Sequence, residues 1–326
     1  MTHALILSSF APLGSNVQLG TLPKTQLAPN QVRVRTIASP INPADHNVIE
    51  GLYGMLPSLP AVLGNEGVGE VIEIGAGVHD FKMGDWVIGL DRIGWWCEEF
   101  CASPSELFPV PKTLDPLQAA GLSVNPATSF CMLSDIAQLQ AGDWIIQNAA
   151  NSGVGRAVIE IAQRKGWKTL NLVRRPELIP EIEALGGTVC ILDSAFRGKE
   201  VANFTQGAPC RIALNGTGGA SVGEMAKALS FGGTVVTYGA MARQPISVGA
   251  GLLIFKDILY KGFWRSQWLK QASREKVQQV FKELCSLASD GCFMPAIGTV
   301  HKLQDFQTAL QYKGHGKVFF DFRGES

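Results

Sequence analysis

The stretch WIIQNAANSGVGRAVIEIA, Trp144 to Ala162, decides the fold. Trp144, Ile145 and Ile146 form a short apolar run suited to a strand. The chain then turns through Asn148-Ala149-Ala150-Asn151-Ser152-Gly153-Val154-Gly155 and continues with a helical period. Val154, Val158, Ile161 and Ala162 fall on one face of that helix. Strand, small-residue turn and helix together make a phosphate-binding unit. The turn lets the backbone approach a pyrophosphate, and the helix start offers unpaired N–H groups at a positive dipole end. The three fingerprint positions read Ala150-x-Ser152-x-x-Gly155, with small residues in place of two glycines. Small residues before a helix also serve plain close packing, so the turn alone does not establish a cofactor.

The next strand pattern supplies context. Trp167–Val173 is apolar and ends at Arg174-Arg175-Pro176, and Arg174 lies 22 residues beyond Ser152. In dinucleotide-binding folds that strand end, roughly 20 residues past the turn, meets the adenosine ribose. A carboxylate there accepts the 2′-hydroxyl of NAD, whereas paired guanidinium forks suit a 2′-phosphate. Two solvated arginines after a strand are the plainer alternative. At this position the pair favours NADPH.

With 326 residues the chain has length for two domains, and 46% hydrophobic with 17% charged residues suits a folded enzyme. The formal net charge of +0 provides no basic field for nucleic acid or anionic lipid. No uninterrupted apolar run reaches the ~18 residues of a membrane span. MTHALILSSF enters a strand pattern directly, without a leader-like segment. A soluble, cytoplasmic protein is expected, and a mature mitochondrial-matrix form reads the same way. Seven dispersed cysteines, without a CxxC pair, read as reduced core thiols. No cysteine–histidine set has zinc spacing, so no metal is expected.

Along the chain, residues 1–120 read as mainly β, with runs at Ala4–Leu7, Gln31–Ile37, Gly67–Ile74, Trp86–Leu90 and Phe100–Ala102. These suggest a curled antiparallel sheet or partial barrel. From about Leu117 the period turns helical (LQAAGLSVNPATSFCMLSDI), and strands then alternate with helices. Cys190–Asp193, Ile212–Asn215 and Gly233–Tyr238 read as parallel-sheet strands. After Ile258–Trp264, a long helix is predicted over Ser273–Asp290, followed by a short β/α tail.

Longer motifs carry a family resemblance. Gly64-Asn65-Glu66-Gly67-Val68-Gly69, the run Val71–Trp86 ending Met83-Gly84-Asp85-Trp86, and Leu139-Gln140-Ala141-Gly142-Asp143 resemble the medium-chain dehydrogenase/reductases. In the zinc branch the first motif reads Gly-His-Glu, with its histidine a zinc ligand; here Asn65 stands in that place. The resemblance narrows to the zinc-free, mitochondrial-type trans-2-enoyl-CoA (enoyl-acyl-carrier-protein) reductases. Its carriers are Ser39–Asp45, Glu50–Pro57 (EGLYGMLP), Gln147–Gly155, Thr237–Met241 and Gly262–Trp268. Two departures stand out: Arg175 follows Arg174 directly where the family inserts an acidic residue, and Arg265 occupies the variable place of FWxSQW.

This resemblance implies an α/β protein: a GroES-like β-rich catalytic domain (1–120 and 267–326) and a doubly wound Rossmann parallel-sheet cofactor domain (121–266). It implies Tyr53 as the catalytic residue. For NADPH it implies Asn125, Asn151, Ser152, Gly153, Val154, Arg174, Arg175, Tyr238, Gly239, Ala240, Met241, Phe263, Trp264, Arg265, Ser266 and Lys317. Phe263 and Trp264 read equally as interface core. The implied substrate is an acyl thioester on CoA or acyl-carrier protein. A homodimer is also implied, pairing through a cofactor-domain strand, for which the apolar run Gly249–Phe255 is the candidate edge. Two other readings share the fold: a zinc-free NADPH:quinone or 2-alkenal reductase, and a non-catalytic NADPH sensor.

Overall fold

The computed structural model describes residues 1–324; residues 325 and 326, the last two of the expected catalytic domain, lie outside the described residues. The chain divides into two units, Met1–Val124 with Ser273–Ser326, and Asn125–Ala272. In the first, the strands are β1 (Thr2–Leu7), β2 (Val17–Leu22), β3 (Val32–Pro40), β4 (Ala61–Val62), β5 (Val68–Ile74), β6 (Trp86–Gly89), β7 (Glu99–Ala102) and β8 (Leu107–Val110). Helix α1 (Pro43–Ile49) follows β3, and α2 (Pro116–Ala120) follows β8. All five expected β runs fall on strands, while β2 and β8 escaped the reading because Gly20 and Pro109 interrupt their patterns. The hub is β3, antiparallel to both β5 and β7. Its Val32 and Val34 are fully buried with Val71, Val87 and Trp95, so β-branched side chains fill a core across the sheet. Gly69 lets β5 come close: a Cβ there would lie 2.4 Å from Val34 Cγ1.

The second unit opens with α3 (Asn125–Asp135). The helical stretch expected from Leu117 is therefore two helices, with Gly121 capping α2 and residues 121–124 turning between them. Six parallel strands follow: β9 (Trp144–Gln147), β10 (Lys168–Val173), β11 (Val189–Leu192), β12 (Cys210–Asn215), β13 (Thr234–Thr237) and β14 (Leu259–Gly262). Their order is β11-β10-β9-β12-β13-β14, the doubly wound arrangement. The connecting helices are α4 (Gly153–Lys165), α5 (Ile179–Ala184), α6 (Val201–Thr205), α7 (Ser221–Ala228) and α8 (Ala250–Lys256), and α9 (Arg265–Gln271) closes the unit. The predicted face of α4 is buried, including Val154, Val158, Ile161 and Ala162. Each valine or isoleucine side chain among them contributes roughly 1.5–3 kcal/mol on full burial.

One expectation is corrected. Gly249–Phe255 is not a strand: Gly249 caps α8, and the sheet edge is β14. The run AGLLIFK is apolar without a period of two, and helix and strand cannot be told apart from such a run alone. Once folded it leaves Ile254 and Phe255 mostly exposed, at 70% and 79%.

The chain returns to the first unit through α10 (Arg274–Ser289), β15 (Ile297–His301), α11 (Phe306–Gln311) and β16 (Lys317–Asp321). The predicted Ser273–Asp290 segment is α10 with its caps, since the Ser273 side chain accepts from the Lys276 N–H and Asp290 is the C-cap. Strand β16 runs antiparallel to β3 and parallel to β15, so the C-terminal strands complete one seven-stranded sheet with β3 and β5–β8.

Candidate functional site

Because the six strands of the second unit run parallel, their C-terminal ends share one edge. Between β9 and β12 the strand order reverses, and ligands of such sheets bind outside that switch point. Most predicted cofactor residues lie along this edge. Asn151–Val154 follow β9, Arg174 and Arg175 follow β10, Tyr238–Met241 follow β13 and Phe263–Ser266 follow β14. Asn125 joins them at the start of α3.

Local geometry explains the turn after β9. Ser152 caps α4, its hydroxyl oxygen accepting the Gly155 N–H at 3.1 Å. Ala149 takes a positive φ of 50°, which a small side chain tolerates best. A Cβ at Gly155 would lie 2.5 Å from the Ala150 carbonyl oxygen, and one at Gly153 would lie 2.7 Å from the Asn125 amide nitrogen. Neither glycine of the turn has room for a side chain, and the N-terminus of the 13-residue α4 faces the turn. Arg174 and Arg175 are exposed just past Val173. Arg175 makes a long, solvent-exposed contact of 3.5 Å to Glu177.

Sequence reading missed what locks the switch point. The Asn148 amide nitrogen donates to Asn215 Oδ1 at 2.9 Å and to Thr217 Oγ1 at 2.6 Å, while its oxygen accepts the Gly216 N–H at 2.8 Å. One fully buried amide therefore ties the turn after β9 to the turn after β12. The only signal was a pair of polar residues, Gln147 and Asn148, placed after an apolar run. The turn after β13 joins in, for a Cβ at Gly239 would lie 2.7 Å from the Gly216 carbonyl oxygen. Tyr238 packs over Gly216, and its buried hydroxyl has no hydrogen-bond partner. Burial pushes this phenol up to about 12; the Ser152 side chain offsets part of that, though no hydrogen bond of normal geometry joins the two. Phe263 is tied to β13 through its N–H to the Thr237 carbonyl at 2.9 Å, and Arg265 and Ser266 are buried at the start of α9. Ala240 and Met241 are exposed. An orphaned buried hydroxyl, a turn whose two glycines admit no Cβ, and two exposed guanidinium groups fit a phosphorylated dinucleotide.

In the first unit, Tyr53 is half-buried in the loop between α1 and β4, packed at the margin of a core containing Ile49, Trp96 and Phe320. Gly51 turns the chain into this loop at φ 75°. Over the Tyr53 ring lies Arg92, its guanidinium carbon 5.0 Å from the ring centroid.

Lys317, grouped with the cofactor residues by resemblance, has its ammonium 2.7 Å from Asn42 Oδ1 and 3.4 Å from Glu66 Oε1. Glu66 is fully buried; its other oxygen accepts the Val124 N–H at 2.8 Å. Asp45 lies in the same network, accepting from the Asn42 N–H at 2.8 Å and the Asn65 N–H at 3.1 Å. Burial is the main cause that raises the Asp45 carboxyl to about 7; Glu66 adds to it, and the backbone donors and Lys317 oppose it. The place where the zinc branch has histidine thus holds a buried amide backed by a carboxylate–ammonium network. Among the described residues no group of three or more histidine, cysteine or acidic side chains is placed to hold a metal ion. All seven cysteines are free thiols; burial raises Cys97 and Cys210 to about 12, which leaves them inert.

Comparison with known proteins agrees with this architecture. The alcohol dehydrogenase GroES-like domain matches residues 28–112, and the zinc-binding dehydrogenase domain matches residues 153–287. The mitochondrial enoyl-[acyl-carrier-protein] reductase of Xenopus tropicalis is 45% identical over 296 residues, covering 88% of this chain and 85% of that protein. Etr1p of Candida tropicalis, in a complex with NADP and crotonyl-CoA, superposes with a TM-score of 0.88 at 28% identity, over 98% of this chain and 99% of that one. A quinone oxidoreductase of Pseudomonas syringae superposes with a TM-score of 0.84 at 26% identity, over 98% of this chain and 100% of that one. A relative this similar over this much of the chain fixes the family. The chain belongs to the mitochondrial-type enoyl-acyl-carrier-protein reductases, within the medium-chain dehydrogenase/reductases.

Proposed function

We propose that this protein reduces the C2–C3 double bond of trans-2-enoyl thioesters with NADPH. The observation that carries the reading is Tyr53, a half-buried phenol in the Gly51–Gly54 loop of a chain whose metal-ligand position is filled by Asn65. Bound NADPH supplies a hydride to the β-carbon. The Ser152–Val154 turn and the start of α4 hold its pyrophosphate through backbone N–H groups, with Asn125 and Asn151 flanking them. Arg174 and Arg175 take the 2′-phosphate. Tyr238–Met241 and Phe263–Ser266 line the same sheet edge and give the cofactor its remaining walls. As negative charge gathers on the thioester oxygen, the Tyr53 hydroxyl donates to it or delivers the proton that the α-carbon needs. The thioester enolate is delocalised, so a hydrogen-bond donor suffices without a Lewis acid.

The proposal includes a homodimer, and the surface of the second unit supports it. Strand β14 is an open sheet edge that exposes its Leu259, and Ile254 and Phe255 of α8, which precedes it in the chain, are mostly exposed. An exposed edge with apolar neighbours is suited to pairing with a second copy. No helix among the described residues is long and apolar enough to cross a membrane. The named relatives are mitochondrial, so the matrix replaces the cytoplasm as the proposed compartment. The acyl group is carried on CoA or on acyl-carrier protein.

The test follows NADPH oxidation with crotonyl-CoA and, separately, with a quinone. Turnover of the thioester is expected, and Tyr53→Phe is expected to lower its kcat by about 10²-fold or more with unchanged NADPH affinity. Turnover of the quinone alone favours the quinone reductase, and turnover of neither favours the non-catalytic sensor. A Tyr53→Phe enzyme within about threefold of the parent kcat, with hydride transfer limiting, removes Tyr53 from the chemistry.

A further inference from the structure

The loop that carries Tyr53 has no helix or strand between residues 51 and 60. Catalysis by a hydroxyl needs its oxygen held to within a fraction of an ångström, and an irregular loop does not do that by backbone pairing alone. Packing at the core margin restrains the ring, and the Leu52 N–H to the Asn47 carbonyl, at 2.8 Å, anchors the loop's first turn. Beyond that turn, a group from another part of the unit grips the loop.

That group is Arg92, in the turn between β6 and β7. Its guanidinium stands over the Tyr53 ring at 5.0 Å, and its Nη2 donates to the Met55 carbonyl at 2.7 Å. The same planar group thus touches the loop at two points two residues apart. Its Nη1 is withdrawn from solvent with no hydrogen-bond partner. Lysine would not reproduce this, because a point charge cannot cover the ring and reach the carbonyl together.

We propose that Arg92 is the positioning residue for the Tyr53 hydroxyl, clamping ring and loop backbone into the catalytic orientation. The inference rests on Tyr53 being the proton donor. It makes Arg92 act on kcat through Tyr53, without touching the substrate.

The experiment measures kcat and KM for crotonyl-CoA at saturating NADPH, with thermal midpoints, for Arg92→Met and Arg92→Lys in the parent and in Tyr53→Phe. In the parent, Arg92→Met should lower kcat about tenfold with KM within about twofold, and Arg92→Lys should lose about threefold. Either arginine replacement should change the residual rate of Tyr53→Phe by less than about twofold, since the hydroxyl being positioned is already gone. Arg92 variants with parental kcat overturn the proposal while leaving Tyr53 in place. So does a raised KM with unchanged kcat, which would mark Arg92 as a substrate contact. An equal loss of rate in both backgrounds also overturns it, by showing general loop damage. Should Arg92→Met melt well below the parent, the same comparison on Arg92→Lys decides. Parental activity of Tyr53→Phe alone would instead overturn the catalytic assignment on which the inference rests.

Discussion

Replacing Arg174 and Arg175 together by alanine tests the proposal that this pair holds the cofactor's 2′-phosphate. Both side chains are exposed just beyond the end of β10, so their removal leaves no cavity and strands no buried partner. The ion pair of Arg175 with Glu177, at 3.5 Å, has partners 56% and 63% exposed. Such a pair is worth about 0–1 kcal/mol, so redirecting Arg175 to a phosphate costs little. A hydrogen bond to a charged group contributes roughly 1.5–3 kcal/mol, and solvent at these positions brings that to the low end. Two arginines then supply about 2–3 kcal/mol, or about 30- to 150-fold in Kd. Titrating NADPH and NADH against tryptophan fluorescence reads both constants. The double variant should lose that factor for NADPH and stay within about twofold for NADH, and its NADPH affinity should depend less on salt. Removing the competitor by Glu177→Gln should tighten NADPH by about twofold. Equal weakening of NADPH and NADH, or an NADPH constant within about threefold of the parent, would refute the assignment of the pair to the phosphate.

Three further outcomes are expected. Asp45 titrates near 7 in the folded chain against an ordinary 3.8, so the native state keeps a proton that the unfolded chain releases between those values. Its contribution is complete below about pH 4 and is lost as pH rises through about 7. The melting temperature of the parent should therefore fall relative to Asp45→Asn by several degrees across that window, and parallel curves would contradict it. Activity should survive exhaustive chelation, because Asn65 fills the histidine position; stoichiometric zinc whose removal abolishes turnover would show otherwise. Gly155→Ala places a Cβ 2.5 Å from a backbone carbonyl oxygen that cannot rotate aside, so NADPH-induced thermal stabilisation should largely vanish. A parental shift would mean that the turn can relax.

The sequence made the cofactor unit legible because its signals are local. A helix face every 3.6 residues, a small-residue turn and two arginines at a strand end are all contiguous, and α4 and β10 appear where those patterns put them. The assignment of Tyr53 rests on the EGLYGMLP motif and not on any periodicity, since an irregular loop has none. What stayed hidden is non-local. Arg92 lies 39 positions from Tyr53, and Asn148 bonds to residues 67 and 69 positions away. Lys317 reaches Asn42 across 275 positions, a pairing that only the β16–β3 register creates. The misread edge at Gly249–Phe255 has a different origin. An apolar run that stays exposed in the folded unit carries no inside-outside alternation, and that alternation is the property from which a strand is read.

The Asn148 amide has a consequence for how this site can change over generations. Its nitrogen serves Asn215 and Thr217 while its oxygen serves the backbone of residues 216 and 217, so nearly all its capacity is spent on one neighbouring turn. Aspartate at 148 would set a carboxylate oxygen against Asn215 Oδ1, and an aliphatic residue would abandon two buried backbone donors. A lone substitution at 148, 215 or 217 is therefore penalised whatever it does for the cofactor. These positions should drift as a coordinated set: lineages that abandon the asparagine at 148 are expected to have rebuilt the turn after β12 in step, and single-residue intermediates should be rare among descendants.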